Sequence, residues 1–367
     1  MTHKNELLLI HLTQFGYHNN AYNYCKYLKD DYNITFICQD AGKKKISLNN
    51  VKVIYIPTFP NRRNVLYSIL RNLLWNMIVS LHIFISKGIV FVFYYKHSSY
   101  LKKIFKHKKM VLDIRTLGVT KDEAQNNKFN SELLKTANLY DVITILSHGM
   151  VENLNLVHKS INVLPLGANV ISTVHKDYSR LRFLYVGTLT GRDIHKTLEG
   201  LYLFRQNHSD LDIQYDIVGD GVCYKELKQQ CTKLNLDDIV TFHGRIPNTE
   251  LKRFFDSNSY GISFVPKTSY YDNQPVTKTF EYALSGLYVI ATSTSENKKV
   301  ITEDNGMLIK DDSHSFKNAL EYVYKNNKNI NEKAIRDSLL DYSWENIVVN
   351  KLKPILNILL DNNNSNL

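Results

Sequence analysis

The chain of 367 residues is sparing with the residues that staple, anchor or ligate. It has four cysteines, Cys25, Cys38, Cys223 and Cys231, and they form neither a CxxC pair nor a zinc spacing. No disulfide framework or zinc module organises such a sequence, and the thiols read as ordinary reduced side chains of a cytosolic protein. The opening MTHKNELLLIHLT turns polar too soon for a signal peptide and reads as a first buried strand over 7–12. No apolar run is uninterrupted for the width of a bilayer. The most apolar stretch, 64–86, is broken by Arg71, Asn72, Asn76 and His82, which are costly in hydrocarbon. It reads as one or two amphipathic helices packed partly on a sheet. No internal segment is of low complexity, and only the Asn-rich tail after Asp361 is expected to be disordered. The adjacent acids at 30–31, 237–238 and 311–312 fall in expected surface loops, so no DxD-like metal signal stands in a convincing place.

What is present is positive charge and two cores' worth of apolar residues. Lys and Arg number 46 against 35 Asp and Glu, a net charge of +11. That bias points to anionic partners: nucleotide phosphates, an anionic membrane face or nucleic acid. Against nucleic acid, no aromatic-plus-basic RNA motif or recognition helix appears. Hydrophobic residues make up 44%, and the length suits two domains. Basic residues gather at Arg62, Arg63, Arg71, Lys87, Lys96, Lys102, Lys103, Lys106, Lys108 and Lys109, around the apolar stretch 64–86. Basic charge beside an apolar helix suits an anionic membrane surface; a solvated basic face beside a core helix is the plainer alternative.

Strand and helix signals alternate through both halves, which implies α/β units with parallel sheets. Strands are expected at 7–12, 34–38, 51–56, 89–95, 110–115 and 141–147, then at 182–187, 215–221, 239–244, 260–265 and 306–309. Periodicity lapses between Pro165 and about Arg180, where the domain boundary is placed. Ligands of such sheets sit outside the carboxyl ends of the strands. Gly16 lies there after the first strand, where backbone can approach a phosphate closely.

The chain is organised around 274–291, QPVTKTFEYALSGLYVIA. A helix is expected from about Pro275, with Phe280, Ala283, Leu284 and Leu287 on one buried face and Gly286 ending it. Lys278 and Glu281 share a face near its amino end, which suits an anion, with a carboxylate one turn on for a sugar diol. Three other strand exits carry polar groups. Gly187 is followed by Arg192 and Lys196, which can clamp a diphosphate. Residues 218–221 form a Gly-rich turn. At 243–247 the backbone after Gly244, beside Arg245, can meet a base edge.

These segments together resemble the retaining GT-B glycosyltransferases of family 4, the glycosyl transferases group 1. FLYVGTL, IVGDG, FHGRIP, PVTKTFEYALSGLYVIAT and the closing YSWENI occur here in that family's order and spacing. The resemblance covers roughly 180–360; the first half matches in pattern only, through Gly16, the DIRT strand end and the VLPLG linker. It implies two Rossmann-like domains facing across a cleft: an acceptor domain at 1–170, a nucleotide-sugar domain at 171–343, a helix at 344–360 returning to the first domain, and a tail at 361–367. It implies that Arg192 or Lys196, with Lys278, binds the donor diphosphate and that Glu281 holds the ribose hydroxyls. The first acid of the family's E-x7-E motif is replaced by Asn273, with Asp272 beside it as a possible substitute. The family's first-domain active-site histidine falls near Arg115, with Asp113 and Thr116 as neighbours. The implied activity is metal-independent hexosyl transfer with retention, without a cofactor, from a nucleotide diphosphate sugar to a lipid-linked or polysaccharide acceptor. The implied setting is capsule or lipopolysaccharide assembly, cytoplasmic and peripheral on the inner membrane face. The rivals are a nucleotide-sugar epimerase or phosphorylase of the same fold and a non-catalytic nucleotide- or nucleic-acid-binding protein.

Overall fold

The computed structural model describes residues 4–58, 65–120 and 122–364. The chain forms two compact units: residues up to Pro165 together with those from Trp344 onward, and Leu166–Ser343. Arg62, Arg63 and Asn64 of the basic, apolar region and residues 365–367 of the tail lie outside the described residues.

The first unit is built on β1 (Asn5–Ile10), β2 (Tyr32–Asp40), β3 (Val51–Pro57), β4 (Ile89–Phe93), β5 (Met110–Ile114), β6 (Val142–Ile145) and β7 (Ile161–Val163). All pairings are parallel, in the order β3-β2-β1-β4-β5-β6-β7. Its helices are α1 (Asn19–Leu28), α2 (Val65–Ile85), α3 (Ser99–Ile104), α4 (Glu123–Ala137) and α5 (His148–Asn153). The strands β4, β5 and β6 are apolar almost throughout because both of their faces are buried. The second unit repeats the plan with β8 (Leu181–Val186), β9 (Ile213–Val218), β10 (Val240–Gly244), β11 (Tyr260–Ser263), β12 (Tyr288–Thr292) and β13 (Gly306–Ile309), in the order β10-β9-β8-β11-β12-β13. Its helices are α6 (His195–Arg205), α7 (Tyr224–Lys233), α8 (Lys252–Ser257), α9 (Ser269–Asp272), α10 (Thr277–Leu284), α11 (Ser313–Asn326) and α12 (Glu332–Ser338). In each sheet the strand order reverses once, between β1 and β4 and between β8 and β11. At such a point the connections leave in opposite directions and a crevice opens at the carboxyl ends.

The segment from Trp344 to Asn364 is helical, with one π turn over Val348–Leu352. Trp344, Ile347, Val348, Leu352, Leu356 and Leu359 enter the core of the first unit beside α1, β1 and β2. Trp344 meets Tyr24 edge to face at 6.1 Å, and Tyr32 Oη donates to Asn357 at 2.7 Å. The helix runs to Asn364, past the end at 360 that the sequence suggests.

Two expectations for the basic, apolar region change. The apolar residues of α2 are not confined to its packed side. At about 100° per residue, Trp75, Val79 and Ile83 lie on the buried side. Leu70, Leu73, Met77, Leu81 and Phe84 lie opposite and are 50–71% exposed. Arg71, Asn72 and Asn76 instead line a cavity of about 1060 Å³ shared with Gln14, Asp40, Trp75 and Tyr95. Lys102, counted with the basic surface, is buried. Its ammonium pairs with Asp141 at 2.7 Å and donates to the carbonyls of Lys106 and Lys108, closing the turn between α3 and β5.

Candidate functional site

The second unit's site is assembled at the β8/β11 reversal. α10 starts at Thr277, not at Pro275, because Val276 is extended with φ −89° and ψ 113°. The buried Tyr282 hydroxyl of α10 accepts the Val186 N–H at the end of β8, at 2.7 Å. Thr279 and Ser263 hydroxyls meet at 2.6 Å and tie the same helix to β11. The amino end of α10 is thereby fixed at the crevice. Lys278 and Glu281 form an ion pair, and the Glu281 side chain is only 5% exposed. A carboxylate so deeply placed needs a partner, and the lysine supplies it. After Leu284 the chain leaves through Gly286 at φ +78°, the left-handed exit that the sequence suggests.

The neighbouring exits are laced together by backbone. Gly187 N–H donates to Val218 O at 3.0 Å, and Gly219 N–H to Gly244 O at 2.8 Å. A Cβ on Gly219 would stand 1.8 Å from the Gly187 carbonyl, so only glycine allows this approach. Arg192 stacks over the Tyr271 ring at 4.3 Å, and Lys196 pairs with Asp193 at 3.1 Å. The loop carrying Arg192 is thus held against α9, just before α10. Asp272 is committed elsewhere: its carboxylate accepts from Ser295 N–H at 2.9 Å and from the Ser295 hydroxyl at 2.5 Å. Asn273 ends α9 as its carboxyl cap. Arg245 is exposed beyond Gly244, which has φ +65°. Tyr282 thus ties the β8 end before Gly187 to α10, which carries Lys278 and Glu281, and Tyr271 ties Arg192 to α9. Neither tyrosine stands out in the sequence, where nothing distinguishes them from the others among its 24 tyrosines.

In the first unit the corresponding place holds histidines. His11 follows β1, and His18 caps α1 by accepting the Ala21 N–H at 3.3 Å through Nδ1. Their rings lie 4.1 Å apart, and both meet the edge of Phe93 at the end of β4. His11 Nδ1 accepts the Thr13 N–H at 2.8 Å, so in the neutral rings each Nε2 carries the proton. Burial, then the neighbouring His18, holds His11 down to about 3. Burial, then the Arg115 charge, holds His18 down to about 4. Both imidazoles are neutral at neutral pH. The sequence signal is one His near the end of the first expected strand and one just before the next helix.

Arg115, predicted for the reaction centre, is engaged on several sides. It donates to the carbonyls of Leu164 at 2.7 Å and Pro165 at 3.3 Å and lies 3.6 Å from Asp113. With its amide oxygen turned inward, Asn20 accepts from Arg115 Nε at 2.6 Å. Asp113 is buried, accepts from Thr144 at 2.8 Å, and burial raises its pKa against the opposing Arg115 charge. Thr116 Oγ1 donates to the Leu117 carbonyl at 2.9 Å. Gly16 has φ +87°, and Ile46 covers its α-carbon so closely that any Cβ would overlap it.

Among the described residues, no three His, Cys, Asp or Glu side chains are grouped to hold a metal. Among them, too, no helix is long and apolar enough to cross a membrane.

The family model for glycosyl transferases group 1 matches residues 173–337. These residues include Gly187, Arg192, Lys278 and Glu281. No curated protein matches the sequence. Among solved structures, sucrose-phosphate synthase from Thermosynechococcus elongatus superposes with a TM-score of 0.75 at 16% identity, over 98% of this chain and 100% of that one. HepE from Anabaena, in complex with UDP, gives 0.71 at 14% identity over 99% and 100%. The lipopolysaccharide outer core galactosyltransferase WaaB gives 0.67 at 14% identity over 94% and 97%. At these identities the likeness is one of fold: two parallel-sheet α/β units of the GT-B type.

Proposed function

We propose that the protein is a glycosyltransferase that moves a hexose from a nucleotide diphosphate sugar to a lipid-linked or polysaccharide acceptor, with retention of anomeric configuration. The observation that carries the reading is the Lys278–Glu281 pair on α10, fixed at the β8/β11 reversal inside the stretch that matches the glycosyl transferases group 1. The UDP in the HepE structure supports a nucleotide diphosphate donor.

In this reading the diphosphate takes Lys278 from Glu281 and draws on Arg192 and Lys196, while Glu281 turns to the ribose hydroxyls. Cleavage of the glycosyl–phosphate bond puts negative charge on the leaving diphosphate, and these cations stabilise it without a metal. No carboxylate pair is required; the leaving phosphate takes the acceptor proton on the same face of the sugar. Asn273 faces the donor hexose in place of an acid, since Ser295 occupies Asp272. The first unit serves the acceptor. His18, neutral, offers its Nε2 to an acceptor hydroxyl, and Arg115 acts as a positioning residue behind it. The acceptor belongs to bacterial surface glycan assembly, such as capsule or lipopolysaccharide, with the enzyme peripheral on the cytoplasmic membrane face. WaaB, by its description a lipopolysaccharide enzyme, supports that setting.

The test is a thermal-shift panel of UDP-, GDP- and ADP-sugars without metal. At least one is expected to raise the melting temperature, and Lys278→Ala is expected to abolish the rise. A panel in which no nucleotide sugar or free nucleoside diphosphate stabilises the protein sinks the reading. Sugar release that never depends on an added acceptor assigns the site to an epimerase or hydrolase instead.

A further inference from the structure

α2 is two-faced in an unusual sense. Arg71, Asn72 and Asn76 line the cavity on one side of it, with Asn72 at the exposed rim. Its outward face is apolar along its described length: Leu73 is 60% exposed, Met77 64% and Phe84 71%. An exposed apolar stripe of this extent marks a surface that is covered in use. Ile104 on α3 is 62% exposed, and the turn after it carries further charge. Lys108 Nζ donates to the carbonyls of Phe84 and Ser86, which pins that turn to the carboxyl end of α2. Lys87, Lys103 and Lys106 are exposed there. The acids nearby are engaged: Glu6 accepts the Lys87 N–H at 2.9 Å, and Asp141 pairs with the buried Lys102.

We propose that the outer face of α2, over residues 69–85, is the surface that docks on an anionic lipid bilayer, with Lys87, Lys103 and Lys106 on the head groups. This rests on the membrane part of the proposed function and deepens it by naming the surface. The contact is an apolar helix lying flat, with positive charge concentrated at one end. Charge complementarity selects the bilayer over a second copy of the chain. The apolar face of a second copy offers this lysine cluster no opposite charge, whereas anionic head groups neutralise it. Such a helix lies in the interface and does not cross it.

The experiment is co-sedimentation of the full chain with vesicles of equimolar phosphatidylglycerol and phosphatidylcholine, and with vesicles of phosphatidylcholine alone. The wild type is expected to pellet with the anionic vesicles. Leu73→Gln, Met77→Gln and Phe84→Gln together should reduce that partitioning by at least about tenfold. The same variant should keep its melting temperature and its stabilisation by nucleotide sugar, because the three side chains are exposed. Lys103→Glu with Lys106→Glu should weaken binding to the anionic vesicles and leave the phosphatidylcholine result unchanged. A triple variant that pellets as well as the wild type overturns the assignment of the surface while the membrane reading stands. A wild type that ignores both vesicles overturns both. Sedimentation velocity showing a dimer that the triple variant dissolves, without vesicle binding, gives the face to a second copy and overturns the proposal. The nucleotide-sugar panel is read separately, so failure of the transferase reading is seen on its own.

Discussion

The two units share a sheet plan and differ in what they place where it reverses. At β8/β11 the second unit sets charge: Lys278 against Glu281, Lys196 against Asp193, and Arg192 flat on Tyr271. At β1/β4 the first unit sets neutral imidazoles on Phe93, with an arginine behind them tied to backbone carbonyls. The plan locates a crevice, and the side chains decide its chemistry. A reversal lined with cations in replaceable pairs suits a diphosphate, which can displace each internal partner. One lined with neutral donors and aromatic edges suits a sugar hydroxyl.

The units also differ in continuity, and the largest effect is expected there. Trp344→Ala should cost the first unit about 3–5 kcal/mol, because the 1%-exposed indole joins the terminal helix to α1 and β1. Urea unfolding measures the loss. Amide exchange should quicken in β1 and α1 and stay unchanged in β11 and β12; uniform quickening would mean the units do not differ in this way. Next, Lys278→Ala should lower kcat/KM by about 10²–10³, with the circular dichroism spectrum retained. Full activity in that variant removes the charged half of the comparison.

His18→Gln tests the neutral half, with an expected loss of about tenfold to a hundredfold in kcat. Its pH signature is separate from activity. Both histidines have folded-state values, about 3 and about 4, below the ordinary 6.5. The unfolded chain therefore binds more protons between those values, and the stabilisation is present above pH 6.5 and lost as pH falls toward 4. His18→Gln should flatten the stability profile over that window; an unchanged slope would show that the ring is not held neutral by the fold. The smallest effect is that of Tyr271→Ala, which removes a stacking worth about 0.5–1 kcal/mol. Donor Kd should rise about two- to fivefold, with kcat unaltered.

Much of the second unit was legible from one dimension, because its signals are local. Gly187, Arg192, Lys278, Glu281 and Gly286 each sit at a strand exit or helix end that apolar periodicity marks. What escaped were elements too short to show a period, among them the four residues of α9 and the six of α3 and α5. α4 begins at Glu123 with polar first turns that show no apolar period, and its start is set by the Asp122 side chain accepting from Gln125 N–H at 3.1 Å. Asp272 shows the same limit in the site. An acid beside Asn273 reads as free along the chain, and only the fold shows Ser295, 23 residues on, donating to it.

By itself the sequence determined the two parallel α/β units, the order of the strands along the chain and the end of α10 at Gly286. These follow from periodicity and backbone preference, which act over a few residues. Only the tertiary structure decided which partners each polar group meets. Long-range packing set Arg71 and Asn76 of α2 on a cavity and left Leu70, Leu73 and Leu81 in solvent. It closed Arg115 with the carbonyls of Leu164 and Pro165 and Lys102 with Asp141, all distant in the chain, and it set His11 on His18. The outcome of each charge depends on the dielectric and the partner it finds, and neither is written in its neighbours along the chain.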